Sequence, residues 1–377
     1  MKKTTALLLA CLIAALPARA FDTAARHALL MDADTGYVML DKKSDVPMPP
    51  ASMSKLMTAY VVFDMIKSGK LSPETECAVS ENAWRKGGTK SGGSTMFLNP
   101  NQRVKVIDLL RGMIIQSGND ACIVLAENIA GSEEIFSDLM NKKAREIGLK
   151  DSVFKNATGL PERGHVMSAR DLAVLARAII RDFPEHYPMY SEKDFEFNKI
   201  RQGNRNPLLY DLSGADGLKT GHTEASGYGL TASVKGVDGR RLILVVNGLK
   251  SMKDRAAESR RLVNWGMTHF ANEAVVSAQQ KLDDIPVWMG RADKVAAVAG
   301  KTLPVTRARG ETIAPEIKIA YDSPVAAPVE KGQKLGTITI SVPGREALTA
   351  DLVAGESVEK VGFFGKIKAL CLLLAGR

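Results

Sequence analysis

The feature that most constrains this chain is the stretch from Met53 to Ile66, which follows directly on the pair Pro49-Pro50. Its residues are good helix formers and are mostly apolar, so we expect a helix that is buried on nearly every side. The two prolines end the preceding segment, because proline has no backbone N–H and restricts the residue before it. The rest of the chain must therefore pack around this helix.

Ser52 lies at the N-terminus of the predicted helix, and Lys55 lies one turn further on the same face. A serine hydroxyl is a poor nucleophile until a base takes its proton. A lysine amine is such a base when burial or a second cation lowers its pKa. The helix N-terminus also favours negative charge on the serine oxygen. An N-capping serine followed by an ordinary lysine gives the same pattern, so this pair alone is a weak signal.

Two further short motifs follow, Ser117-Gly118-Asn119 and Lys219-Thr220-Gly221. With Ser52-x-x-Lys55 they stand in the order of the motif set of penicillin-binding proteins and class A β-lactamases. On these three motifs the chain, from about residue 21 to its C-terminus, resembles the low-molecular-mass penicillin-binding proteins that are D-alanyl-D-alanine carboxypeptidases.

The resemblance and the residue patterns agree on an α/β fold. We expect a mainly antiparallel sheet sandwiched by helices, as in β-lactamases and transpeptidases, then a small all-β domain and a terminal amphipathic helix. Apolar runs and periodicity predict the following elements: a hairpin over 27–41, strands at 218–222, 228–234 and 241–247, and helices at 104–115, 121–129, 168–181 and 255–270. Residues 81–96 are polar and Gly-rich and predict a loop. Residues 117–119 predict an exposed corner between two helices.

The length of 377 residues indicates two domains, because single cores rarely grow that large. Residues 1–20 have the charged start, apolar run and small-x-small end of a signal peptide, although Leu8-Leu9-Ala10-Cys11 loosely resembles a lipoprotein box. We assign 21–271 to the catalytic domain, 272–355 to a small β-rich domain and 356–377 to an amphipathic helix. The resemblance implies an exported protein.

The apolar part of the last segment, about 361–375, is too short to span a bilayer core of roughly 30 Å. It suits a helix lying in the membrane interface, and the alternative is a helix docked on the protein's own core. We therefore expect peripheral attachment to the inner-membrane surface, on its periplasmic face.

Composition excludes several other classes. The net charge of +9 is mild, and no basic cluster with interleaved aromatics indicates a nucleic-acid partner. Cys77, Cys122 and Cys371 remain if the signal peptide is removed, which is an odd number for an exported protein. Cys122 stands in an apolar helical run typical of a buried free thiol, and we predict no structural disulfide. No Cys/His cluster has metal-ligand spacing, and the chain implies no metal or organic cofactor.

The resemblance implies a role for each motif residue. Ser52 would attack a peptidoglycan stem peptide that ends in D-Ala-D-Ala, Lys55 would be the base and Ser117 would carry the proton to the leaving amine. The substrate-binding residues would be Asn119, Lys219, Thr220, His222 and Arg255, with Arg205 as a weaker candidate. Arg255 would instead be structural if it only pairs with Glu258. β-Lactam antibiotics would acylate the same serine.

Three alternative functions stay open at this point. A class A β-lactamase would carry a Glu-x-x-Leu-Asn element to activate the deacylating water, which this sequence lacks. Glu162 lies in a suitable region without that context, and Gly118 stands where those enzymes have Asp. We therefore expect slow deacylation of penicillin. A DD-endopeptidase that cleaves cross-links and a non-catalytic peptidoglycan-binding scaffold are the other two alternatives.

Overall fold

The computed structural model describes residues 21–362. The predicted signal peptide and residues 363–377 of the predicted terminal helix lie outside the described residues. Within the described part, no helix is both long enough and apolar enough to cross a membrane.

The helices of the described residues all lie in the first 270 positions. They are α1 (Lys55–Lys67), α2 (Glu81–Gly87), α3 (Val106–Ile115), α4 (Asn119–Ala130), α5 (Glu133–Glu146), α6 (Ala169–Asp182), α7 (Leu208–Asp211) and α8 (Met252–His269). Four of them begin at a serine whose side chain accepts a hydrogen bond from the N–H three residues on, namely Ser80, Ser132, Ser168 and Ser251. The helix predicted at 168–181 is confirmed as α6, with Ser168 as its cap.

The strands extend along the whole described chain. They are β1 (His27–Asp32), β2 (Val38–Lys42), β3 (Glu76–Ala78), β4 (Arg103–Lys105), β5 (Asp194–Phe197), β6 (Ile200–Gly203), β7 (Ala215–Thr223), β8 (Gly227–Lys235), β9 (Arg241–Leu249), β10 (Phe270–Val276), β11 (Lys281–Trp288), β12 (Lys294–Ala299), β13 (Leu303–Ala308), β14 (Glu316–Tyr321), β15 (Val325–Ala326), β16 (Lys334–Ser341) and β17 (Leu348–Ala354).

A five-stranded antiparallel sheet forms the centre of the first domain, in the order β2-β1-β9-β8-β7. Its inner strands β1 and β9 are largely apolar on both faces, and both of their faces are covered. In β9, Ile243 and Val245 point into the core around α1, whereas Leu242 and Leu244 point into the core around α8. The predicted sandwich is confirmed, and it leaves β7 as the edge strand that carries the third motif.

The C-terminal β-domain has its own apolar core and a six-stranded sheet in the order β14-β16-β17-β12-β11-β15. Its last described residues correct one prediction. We expected a helix from residue 356, but Val358 exchanges backbone hydrogen bonds with Val329, and Lys360 bridges to Gly290. Val358 is buried in the β-domain core, so this part of the tail is extended.

Two predictions about local structure in the first domain are wrong. The segment 81–96 is not a continuous loop, because Ser80 caps the two-turn helix α2 within it. The corner between α3 and α4 is not exposed, since Ser117 and Asn119 are both buried. The corner is buried because the segment 92–98 folds over it and is held there by hydrogen bonds to Asn119 and Asp120.

Candidate active site

Ser52 lies in a short 3-10 turn, Ala51–Ser54, that leads into α1. The α-helix itself begins at Lys55, two residues later than predicted. Ser52 is half-buried, whereas Lys55 is only 1% exposed because the first nine residues of α1 are surrounded by the core. The turn therefore presents the hydroxyl at a surface and the amine beneath it.

The Lys55 amine has three close polar neighbours. Its Nζ lies 3.0 Å from the Oγ of Ser52, 2.8 Å from the Oδ1 of Asn119 and 2.5 Å from the carbonyl oxygen of Thr158. None of these neighbours is a carboxylate, so no opposite charge in direct contact offsets the loss of water around an ammonium. Burial lowers the pKa of Lys55, and the nearby Arg205 guanidinium lowers it further.

Ser117 faces the same space from the corner between α3 and α4. Its backbone has φ of +65°, a conformation that few residues other than glycine adopt. Its Oγ is buried and has no hydrogen-bond partner among the described residues. A strained backbone and an unpaired buried hydroxyl together are typical of a functional position.

Asp120 is a residue of this corner that the sequence analysis missed. Its fully buried carboxylate accepts hydrogen bonds from the Thr95 hydroxyl and from the N–H groups of Met96 and Leu98. The start of α4 is held against the same segment, since the Asn119 N–H donates a hydrogen bond to the Ser94 carbonyl. Asp120 thus holds the wall of the cleft that the 92–98 segment forms. In the sequence, the only indication of a role for Asp120 was its position directly after Asn119 of the second motif.

Lys219, Thr220 and Gly221 lie on the edge strand β7, next to the nucleophile turn. A Cβ at position 221 would lie 2.8 Å from the Pro50 carbonyl oxygen, so only glycine lets the strand approach this closely. Lys219 is buried, and its Nζ donates to the Thr220 carbonyl at 3.4 Å. Burial, together with the Lys55 amine, lowers the pKa of Lys219 well below its usual range.

Two arginines border the cleft. The Nη1 of Arg205 donates to the Ser94 Oγ at 2.5 Å, and burial lowers the pKa of Arg205. Arg255 does not pair with Glu258, because that carboxylate bonds to Arg261 at 2.7 Å. The buried Nε of Arg255 has no partner among the described residues, which leaves the guanidinium available to a ligand.

A single cleft of about 610 Å³ joins the three motifs and the two arginines. The predicted residues that line it are Ser52, Ser117, Asn119, Arg205, Thr220, His222 and Arg255, while Lys55 and Lys219 lie buried behind its wall. His222 is exposed and stacks on the Tyr228 ring with 3.9 Å between ring centroids. Glu162 lines two other pockets and not this cleft.

Sequence reasoning indicated a loop at 151–170 but assigned no role to the Thr158 carbonyl that it supplies. Asn156 fixes its turn, because the Asn156 Oδ1 accepts hydrogen bonds from the N–H groups of Thr158 and Gly159. The string Asn-Ala-Thr-Gly is typical of a turn and was the available signal. It could not indicate that a backbone carbonyl of this turn meets the lysine.

A nucleophile turn that feeds a buried helix, set against the edge of an antiparallel sheet, is the arrangement of the serine–lysine acyl transferases. Within that class, the chain belongs to the D-alanyl-D-alanine carboxypeptidase family, whose model matches residues 14–251. Residues 270–360 match the model of the C-terminal domain of penicillin-binding protein 5.

Individual relatives agree with this assignment. The chain is 40% identical over 348 residues to D-alanyl-D-alanine carboxypeptidase DacC of Escherichia coli, which covers 91% of this chain and 86% of the relative. It is 39% identical over 345 residues to DacA of the same organism, with 90% and 85% covered. Penicillin-binding protein 5 of Haemophilus influenzae superposes with a TM-score of 0.76 at 37% identity, covering 90% of this chain and 98% of that one.

The family and these relatives establish the activity. The protein is a serine-type D-alanyl-D-alanine carboxypeptidase, a hydrolase of the cell wall and a penicillin-binding protein. The β-lactamase, endopeptidase and scaffold alternatives are not favoured.

Proposed function

We propose that the chain removes the terminal D-Ala from peptidoglycan stem peptides through an acyl-enzyme on Ser52. The observation that carries this assignment is the 3.0 Å separation between the Ser52 Oγ and the Lys55 Nζ, with the amine buried and its pKa lowered. A neutral amine has two N–H bonds and one lone pair. If the N–H bonds point to Asn119 and Thr158, the lone pair faces the Ser52 hydroxyl and takes its proton.

The new bond joins the Ser52 Oγ to the carbonyl carbon of the scissile peptide, and the negative charge moves to the carbonyl oxygen. The N–H groups of Ser52 and His222 are our candidates for the oxyanion hole, since both residues line the same cleft. Ser117 passes the proton to the departing nitrogen, and the C–N bond breaks to release D-Ala. Water then hydrolyses the ester and restores the serine.

The terminal carboxylate of the substrate meets a group of basic side chains. Arg205 and Arg255 line the cleft, and Lys219 lies behind Thr220, whose hydroxyl is a further donor. No carboxylate is within salt-bridge distance of either arginine in the described residues, so each is free to pair with an anionic ligand. A bound carboxylate offsets the repulsion between the two arginines and favours the protonated form of Lys219, which favours a substrate with a free C-terminus.

The same serine should be acylated by β-lactam antibiotics, because their strained amide presents the equivalent carbonyl and carboxylate. The names of the relatives as penicillin-binding proteins support this step. Glu162 lies outside the cleft, which supports slow hydrolysis of the penicilloyl ester.

We place the protein in the periplasm, attached peripherally to the inner membrane. The signal-peptide pattern of residues 1–20 and the apolar, lysine-flanked pattern after residue 360 support this placement. Vesicle pelleting of the full chain and of a variant lacking 363–377 tests the membrane attachment. Attachment through this segment is wrong if both proteins pellet equally or neither does.

Mass spectrometry tests the reaction. The purified full chain in detergent is incubated with a soluble pentapeptide that ends in D-Ala-D-Ala. We expect the loss of one alanine from the peptide with the wild type and no loss with Ser52→Ala. Release of alanine by Ser52→Ala at the wild-type rate would remove Ser52 as the nucleophile.

A further inference from the structure

His165 lies buried between the nucleophile turn 51–54 and the segment 154–159, and it is only 4% exposed. Its Nε2 is 2.8 Å from the Ser54 Oγ, and its Nδ1 accepts a hydrogen bond from the Lys155 N–H at 3.2 Å. The tautomer follows from these contacts. Because Nδ1 accepts, the ring proton sits on Nε2 and is donated to Ser54.

The two partners of His165 belong to the two segments that hold the reacting groups. Ser54 lies in the turn between Ser52 and Lys55. Lys155 begins the short segment that ends at Thr158, whose carbonyl accepts a hydrogen bond from the Lys55 amine. The imidazole is therefore a bridge between the nucleophile's own turn and the loop that orients the base.

The turn and the loop also approach each other closely. A Cβ at Gly159 would lie 2.1 Å from the Ala51 carbonyl oxygen and 3.0 Å from the Ser54 Cβ. The backbone of Gly159 has φ of +77°, so a larger residue would be strained there as well. Packing this tight keeps water away from the Lys55 amine only while the loop stays in place.

We propose that His165 is a positioning residue for acyl transfer. It fixes the loop 155–159 on the Ser52 turn, and this loop orients the Lys55 amine and excludes water from it. It touches neither the substrate nor the reacting atoms. The proposal rests on the function proposed above for Ser52 and Lys55.

The surroundings of the ring agree with a neutral bridge. Burial lowers the pKa of His165 to about 4, with a smaller opposing effect from the Glu162 carboxylate and a smaller lowering effect from Lys55. The Phe154 ring packs edge-on against the imidazole, with 5.8 Å between centroids. At neutral pH the ring is therefore an uncharged donor and acceptor, a role that a glutamine amide can copy.

The test measures the acylation rate of the full chain with a fluorescent penicillin as a function of pH. We expect His165→Ala to slow acylation by roughly 10- to 100-fold, because small displacements of catalytic groups cost that much. The acid limb of the pH–rate profile is the range in which acylation slows because Lys55 is protonated. In His165→Ala this limb should also move to higher pH, since a better hydrated Lys55 holds its proton more strongly. His165→Gln should restore both the rate and the limb to near wild type.

Ser54→Ala removes the acceptor of the His165 hydrogen bond and leaves the ring in place. We expect it to move the acid limb in the same direction as His165→Ala, and the double variant to be no slower than His165→Ala alone. His186→Ala is the matched control, because His186 stacks on Phe63 further along α1. That variant should alter the melting temperature without moving the acid limb.

Two results would overturn the proposal. One is a wild-type acid limb in both His165→Ala and Ser54→Ala. The other is a full shift of the limb in His165→Gln, which would mean that imidazole itself is required. If His165→Ala does not fold, Ser54→Ala and His165→Gln decide the matter alone. Failure of the underlying function is distinguished separately, because it would appear as labelling of Ser52→Ala.

Discussion

The Lys55 Nζ lies 2.8 Å from the Asn119 Oδ1, so the first and second motifs share a hydrogen bond inside the core. This contact orients the amide. With its oxygen turned to the lysine, the Nδ2 of Asn119 faces Gly93, where a Cβ would come within 2.8 Å of it. The amide N–H₂ is therefore directed into the cleft, where it can donate to a substrate carbonyl. The glycine keeps that path open.

Asn119→Asp should slow acylation at pH 7 by at least about tenfold, because a carboxylate at hydrogen-bond distance raises the pKa of Lys55 and keeps it protonated. The acid limb of the rate profile should move to higher pH accordingly. Stopped-flow measurement of penicillin acylation between pH 5 and 10 checks this. Asn128→Asp, on the exposed side of the same helix, is the control and should leave the acid limb in place. An unshifted acid limb in Asn119→Asp would show that residue 119 does not influence the pKa of Lys55.

Arg255→Gln should raise the KM for the peptide and change kcat much less, because the arginine is proposed to bind the substrate carboxylate. Its Nε has no hydrogen-bond partner within residues 21–362. A charge-assisted hydrogen bond contributes about 1.5–3 kcal/mol, so kcat/KM should fall by roughly 10- to 100-fold. Arg261→Gln is the control on the same helix, since Arg261 pairs with Glu258 outside the cleft. Equal effects of the two substitutions would exclude Arg255 from carboxylate binding.

The pH dependence of the free energy of unfolding should reflect the protonation of His165. Because burial lowers its pKa to about 4, the unfolded chain binds the proton more readily between pH 6.5 and 4. The stabilising contribution is present above pH 6.5 and is lost as the pH falls toward 4, by up to about 3 kcal/mol.

Urea unfolding of the wild type and of His165→Gln at pH 7 and pH 4.5 measures this contribution. The variant should lose less stability on acidification than the wild type. Equal losses in the two proteins would show that the ring is not buried in its neutral form.

The sequence predicted the helices and strands whose apolar residues recur at a regular spacing. The strand at 218–222 and the helix at 168–181 followed from apolar runs and periodicity. Sequence alone could not predict contacts that depend on where a loop folds back. The Thr158 carbonyl reaches Lys55 through its backbone, which no residue type reveals, and Asp120 acts on N–H groups more than twenty positions earlier.

The prediction of an exposed corner at Ser117 failed for the same reason. A break between two helices usually lies at the surface, and only the packing of the 92–98 segment buries this one. Conversely, the grouping of the three motifs came from their order, which the family resemblance interpreted, and not from any local pattern.

The most direct test of the account is peptide mapping of the acyl-enzyme. The full chain is treated with penicillin, quenched in acid, digested and analysed by mass spectrometry, alongside Lys55→Met. We predict one penicilloyl adduct on Ser52 in the wild type and none in the variant at the same time point. An adduct on Ser54 or Ser117, or equal modification of Ser52 in both proteins, would contradict the pairing of this serine with this lysine.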